Sequence, residues 1–147
     1  MAPEPSAVYC VPSSQMNDTS RQQIRRFVRE TLGCTCPDEV FKQIRQLDQC
    51  ALFSSAHAVY EIGGRLCVAV YVPANWRALA QTLGQLVAAG MQYRDQHGFN
   101  RFRLVIACRD DDAVIQLPQA FEALPEIDDK VHLHVVPPSQ LPVDAPP

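Results

Sequence analysis

Residues 66–72 read Leu-Cys-Val-Ala-Val-Tyr-Val, and in an extended strand both parities of that run are apolar. Leu66, Val68, Val70 and Val72 would point to one side and Cys67, Ala69 and Tyr71 to the other, because successive side chains alternate across a strand. Such a segment needs cover on both faces, which fits a central strand between packed layers. Just before it, Gly63-Gly64 separates it from a second extended run over 55–62. A Gly-Gly pair accepts the positive φ angles of a two-residue hairpin turn, so 55–62 and 65–72 are expected to pair antiparallel.

Helical spacing flanks this hairpin. Residues 20–32 carry Ile24, Phe27, Val28 and Leu32 on one stripe, with Thr19 or Ser20 as cap and Gly33 as stop. Residues 37–48 read as a second helix, with Pro37 at its first position and Asp38 and Glu39 in its first turn. Val40, Phe41, Ile44 and Leu47 form its apolar face. After the hairpin, Asn75 caps a long helix whose Trp76, Leu79, Ala80, Leu83, Leu86, Val87 and Met91 share a face, and Gly98 ends it. Residues 103–108 and 131–136 read as a third and a fourth strand, with a short helix over 117–124 between them. The expected fold is α/β, or α+β if the helices segregate: a mixed four-stranded sheet with packed helices, in the order ααββαβ(α)β. The stretch from the second strand through the long helix to the third is long enough for a parallel crossover.

A chain of 147 residues, 47% of them hydrophobic, suits one domain with a real core and excludes a wholly disordered protein. Residues 1–19 hold three prolines and no periodicity, and 137–147 hold five prolines, so a flexible N-terminal arm and a Pro-rich, disordered C-terminal tail are expected around a domain over 20–136. No apolar run approaches the ~18 residues of a spanning helix, so no membrane insertion is expected. The net charge of −3 gives no reason to expect nucleic acid. A basic segment followed by an apolar one is missing from the start, so no secretory signal is read and the expected compartment is the cytoplasm. There the six cysteines would be reduced thiols, metal ligands or core fillers.

No phosphate loop, dinucleotide fingerprint, nucleophile elbow or metalloprotease motif is present. The local feature with most chemistry is Cys34-Thr35-Cys36-Pro37. If a helix starts at Pro37, Cys36 is its N-cap, where the helix dipole and free amides favour a thiolate; Asp38 and Glu39 oppose this. Cys34 is close enough to chelate one metal with Cys36 or to form a strained, easily reduced ring. A CxC supplies two ligands where zinc or an iron–sulfur cluster takes four. Cys50, about 18 Å away at the far end of such a helix, is excluded from the site. Further ligands would come from Cys10, or from His132 and His134, which alternate on the fourth strand and project from one face. Cys67 and Cys108 read as core fillers. Locally, a CxC followed by a helix resembles the first half of the small helical 2Fe–2S ferredoxins of the bacterioferritin-associated type. That family also carries a later CxxC, and this sequence has none.

Charge is uneven. Residues 51–109 hold six arginines against Glu61 and Asp95, whereas 110–147 hold Lys130 against eight acids. The run Asp110-Asp111-Asp112 reads as a solvated turn, since three consecutive side chains diverge. Arg21, Arg25 and Arg29 recur every fourth residue on the first helix, as a solvated face or a surface for an acidic partner. Three functions follow as expectations: a non-enzymatic accessory or interaction protein that binds a protein partner or itself; a carrier of zinc or an iron–sulfur cluster on Cys34 and Cys36, for electron transfer or metal delivery; and a thiol oxidoreductase with Cys36 as nucleophile. The first is the leading one, because no catalytic constellation is legible.

Overall fold

The computed structural model describes residues 10–12, 18–33, 38–50, 53 and 56–141. Among them, six strands form one mixed sheet in chain order: β1 (Cys10–Pro12), β2 (Ile44–Cys50), β3 (Ala58–Ile62), β4 (Leu66–Tyr71), β5 (Arg101–Ala107) and β6 (Val131–Val136). Neighbours from β1 to β4 run antiparallel, and β4, β5 and β6 run parallel. The helices are α1 (Asp18–Arg26), α2 (Trp76–Gln81), α3 (Leu83–His97) and α4 (Asp111–Glu122). The α/β class and the parallel crossover are therefore present, and none of the described helices is long and apolar enough to cross a membrane.

Every residue of β4 is buried, and its two parities feed two separate cores. Cys67, Ala69 and Tyr71 meet Trp76, Leu83, Val87, Tyr93 and Leu117 of α2, α3 and α4. Leu66, Val68 and Val70 meet Ile24, Phe27, Val28 and Leu32 at the other face. Phe27 and Val28 belong to a π-helical turn (Phe27–Thr31) that continues α1, closed by the Leu32 N–H on the Phe27 carbonyl at 3.1 Å. Each large aliphatic side chain taken fully out of water contributes about 1.5–3 kcal/mol, so a strand buried on both sides dominates the sheet's stability. The hairpin before β4 turns through Gly63 (φ 61°) and Gly64 (φ 66°), as the paired glycines require. Asn75 caps α2 by accepting from the Arg77 and Ala78 amides at 3.1 and 3.3 Å. The long helix expected there breaks at Thr82 into α2 and α3.

The expected count of four strands is too low, and the helix expected over 37–48 does not form. A five-residue 3-10 turn (Asp38–Lys42) leads instead into β2. Helical spacing of Val40, Phe41, Ile44 and Leu47 misled because a strand with apolar residues on opposite parities reads similarly over one turn. Ile44 enters the α1-side core while Leu47 enters the other. What decides the matter is tertiary: β3 would otherwise leave one backbone edge unpaired, and β2 satisfies it from Ile44↔Ile62 to Leu47↔Val59. The N-terminal arm also contributes structure, since Cys10–Pro12 adds to β2 as an edge strand. At the other end, Pro138–Gln140 forms a 3-10 turn and Leu141 packs on the α1-side core. The helix expected over 117–124 is longer, beginning at Asp111 with Asp110 as its N-cap. Thus the acidic run is a helix start, where carboxylates oppose the positive end of the dipole.

The close seat of α3 on the sheet depends on Gly90. A Cβ there would lie 2.1 Å from the Phe102 ring, which stacks on Phe53 at a centroid distance of 5.9 Å. Gly90→Ala should therefore destabilise the fold by about 1–3 kcal/mol despite Ala's higher helix propensity. A urea midpoint equal to or above that of the parent would show that the helix is not held this close.

Candidate functional site

Neighbouring strands align side chains in rows, and on the α1 face those rows change character at β5. One runs Ile44, Ile62, Leu66, Arg101. The next runs Gln46, Tyr60, Val68, Arg103, His132. Apart from the partly buried Gln46, both carry buried apolar or aromatic side chains through β4 and turn basic at β5. Farther along β5 and β6, Val105, Ala107 and Val136 are again buried under α1. Among the described residues no helix lies over the strip of Arg101, Arg103, His132 and His134, of which Arg101 is exposed and the other three are partly buried.

Each arginine reaches diagonally to a histidine. Arg103 Nη1 donates to His134 Nε2 at 2.8 Å and to the Leu32 carbonyl at 3.2 Å, closing the end of the helical segment against β5. Arg101 Nη1 lies 3.4 Å from His132 Nε2 and from the Asp129 carbonyl. With Nε2 accepting, the His134 proton sits on Nδ1. Burial first, and then the charges of Arg103 and His132, hold the His134 pKa down at about 4. His132 is lowered in the same way, chiefly by burial. Burial also lowers Arg103, and Arg101 repels it further. The strip is thus two guanidinium charges with neutral imidazoles beside them.

On the opposite face the comparable row is Arg45, Glu61, Cys67, Phe102, Val131. Glu61 is the one buried carboxylate among the described residues. Its Oε1 accepts from Arg45 Nη2 at 2.6 Å and Nε at 3.1 Å, and its Oε2 accepts from the Tyr93 hydroxyl. Burial and then the charge of Glu61 push the Cys67 thiol well above its ordinary range. Burial likewise pushes the Tyr71 phenol up to about 12, and its hydroxyl has no hydrogen-bond partner among the described residues. The Glu61 carboxylate beside Cys67 is taken up by Arg45 and Tyr93, and through Tyr93 it ties α3 to the sheet. Arg94 does similar work nearby: it pairs bidentately with Asp128 at 2.9 and 2.8 Å and with Asp95 at 2.9 Å. Sequence reasoning passed over Glu61, although a lone acid inside the apolar run 58–62 was a legible signal.

Cys34 and Cys36 lie outside the described residues. The helix that would have lowered the Cys36 pKa is replaced by the 3-10 turn over Asp38–Lys42, which removes the dipole argument for a thiolate. The exclusion of Cys50 also falls with that helix: Cys50 ends β2, and its Cα pairs in register with Cys10 on β1. His132 and His134 do project from one face, but the Nε2 atom of each is turned to an arginine. Among the described residues no group of three or more His, Cys, Asp or Glu side chains gathers to hold a metal ion. Of the arginine stripe, Arg21 donates to the Lys42 carbonyl at 2.7 Å and Arg29 lies 5.3 Å over the Phe41 ring, so both clamp α1 to the 38–42 turn. Arg25 lines a shallow cleft of about 240 Å³ with Gln22, Arg26, Arg29 and Glu30.

No protein-family model, curated protein or solved structure matches the chain.

Three measurements check this geometry. The His134 ring should remain neutral until about pH 4 in the folded protein, whereas in the unfolded chain it titrates near 6.5. The unfolded state then binds the extra proton, so stability present at neutral pH is lost as pH falls from 6.5 towards 4. The loss is about 2 kcal/mol once solvent screening of a partly exposed ring is allowed for. Proton NMR of the imidazole checks the first point and urea unfolding against pH the second; a ring titrating at 6.5 contradicts both. In addition, Cys67 should resist iodoacetamide under native conditions and react only on unfolding, as peptide mass spectrometry would report.

Proposed function

We propose that the chain is a cytoplasmic accessory protein without catalytic turnover, which docks a protein partner on the strip of sheet along β5 and β6. The observation that carries this reading is the unequal cover of the sheet. One face is sealed by α2, α3 and α4 over a continuous core. The other is covered by α1 as far as Val105, Ala107 and Val136, and beyond that carries Arg101, Arg103, His132 and His134. Partly desolvated arginines carry large binding energies when a partner completes their hydrogen bonds, because planar guanidinium groups lose little entropy on pairing. On the opposite face Glu61 is engaged by Arg45 and Tyr93, and Arg94 by Asp95 and Asp128.

A photo-crosslinking amino acid placed at His132 tests the reading in the native host, with one at the exposed Gln92 of α3 as control. A discrete adduct from position 132, absent from position 92, is the expected result. Equal capture at both positions, or none at 132, would remove the strip as the docking surface.

A further inference from the structure

The strip adjoins the open edge of the sheet, and together they specify what kind of partner fits. β6 pairs with β5 alone, and no described strand lies beyond it. The Phe102 amide donates to the Lys130 carbonyl and the Cys108 amide to the Val136 carbonyl, both at about 3 Å. In that parallel ladder the even-numbered residues of β6 bond to β5, so the N–H and C=O groups of Val131, Leu133 and Val135 turn outward. The edge, Val-His-Leu-His-Val-Val, contains none of the lysines, prolines or bulges that ordinarily blunt an exposed strand. Leu133 and Val135 show on one face of this edge as partly buried apolar side chains, and His132 and His134 on the other.

The charge beside this edge is unbalanced. Ion pairs among the described residues join Arg45 to Glu61, Arg77 to Asp112, and Arg94 to Asp95 and Asp128. Among the described residues neither Arg101 nor Arg103 meets a carboxylate in that way, and the buried Nε of Arg103 has no hydrogen-bond partner there. Of the two acids that act on His132, Asp129 first and then Asp128, Asp128 is held by Arg94, and Asp129 gives Arg101 its backbone carbonyl rather than an ion pair among the described residues. Strand addition satisfies an open edge through main-chain hydrogen bonds and reads alternate side chains of the added segment.

Resting on the docking reading above, we propose that β6 receives an extended acidic segment of a partner protein as a seventh strand. Its alternate residues are carboxylates lying over His132 and His134 and pairing with Arg101 and Arg103. The residues between them are apolar and extend the side of Leu133 and Val135. Two arginines on the same parity of β5 stand two residues apart, roughly 6.5 Å, which is also the spacing of alternate residues in the incoming strand. Recognition therefore selects an acidic–apolar–acidic alternation.

A short acetylated peptide alternating glutamate with valine, titrated into the full chain and followed by amide NMR and hydrogen exchange, tests this. Expected are slowed exchange at the Leu133 and Val135 amides and at least about tenfold weaker binding of the same peptide with glutamine for glutamate. Arg101→Gln, an exposed position away from the packing contacts of Arg103, should weaken binding several-fold, whereas Arg77→Gln on α2 should leave it unchanged. Equal binding of the glutamine peptide, or binding without protection of Leu133 and Val135, would overturn the proposal. So would sedimentation showing the edge filled by a second copy that the peptide does not displace. Should the peptide fail while the crosslinker at His132 still captures a partner, the acidic-strand chemistry falls and the docking surface stands. Failure of both removes the surface as well.

Discussion

Burial of β4 on both faces is the constraint on which the remaining structure hangs. Its six residues are buried at both parities, so the strand is stable only with layers above and below it. That requirement places α1 on one side and α2, α3 and α4 on the other, and it sets β4 between the antiparallel and parallel halves of the sheet. On its left β4 pairs with β3 through a three-residue hairpin turn over 63–65; on its right it pairs with β5 through a helical crossover. Both connections follow from geometry, because an antiparallel neighbour can be reached by a tight turn and a parallel one cannot.

The two faces are finished differently, and function follows from that difference. Three helices cover one face, and the charged groups that enter it are locked: Glu61 between Arg45 and Tyr93, and Arg94 between Asp95 and Asp128. The other is covered by α1 with its π-helical turn, the 38–42 turn and Leu141, and the helical segment ends where Arg103 bonds to the Leu32 carbonyl. Past that point the rows beneath become basic. The same arginine therefore closes the helical segment and begins the exposed strip, so the limit of the core and the start of the candidate docking surface share one side chain.

Several of these features were legible in the residues themselves. Gly63-Gly64 gave the hairpin, Asn75 the start of α2, and residues 131–136 coincide with β6. The helix over 37–48 was misread because four apolar side chains at helical spacing satisfied a local pattern, whereas the backbone edge of β3 imposed a non-local one. His132 and His134 were correctly assigned to one face, but the arginines that meet them stand on β5 and are related to them only through parallel register. Glu61 and Tyr93 are 32 residues apart and meet because α3 folds back over β3 and β4. Contacts of that span leave no periodic mark in the chain.

By itself the sequence determined the α/β class, the doubly covered strand, the hairpin and the caps at Asn75 and Gly98, since each depends on side chains within a few residues of one another; the cap expected at Thr19 or Ser20 lies inside α1, which begins at Asp18. Tertiary structure decided that 44–50 pairs as a strand, that Arg101 and Arg103 lie beyond the reach of α1, and that β6 ends the described sheet. These outcomes depend on which backbone edges remain to be satisfied and how far a helix extends over the sheet. Both quantities belong to the assembled layers, which is why no local pattern of residues could express them.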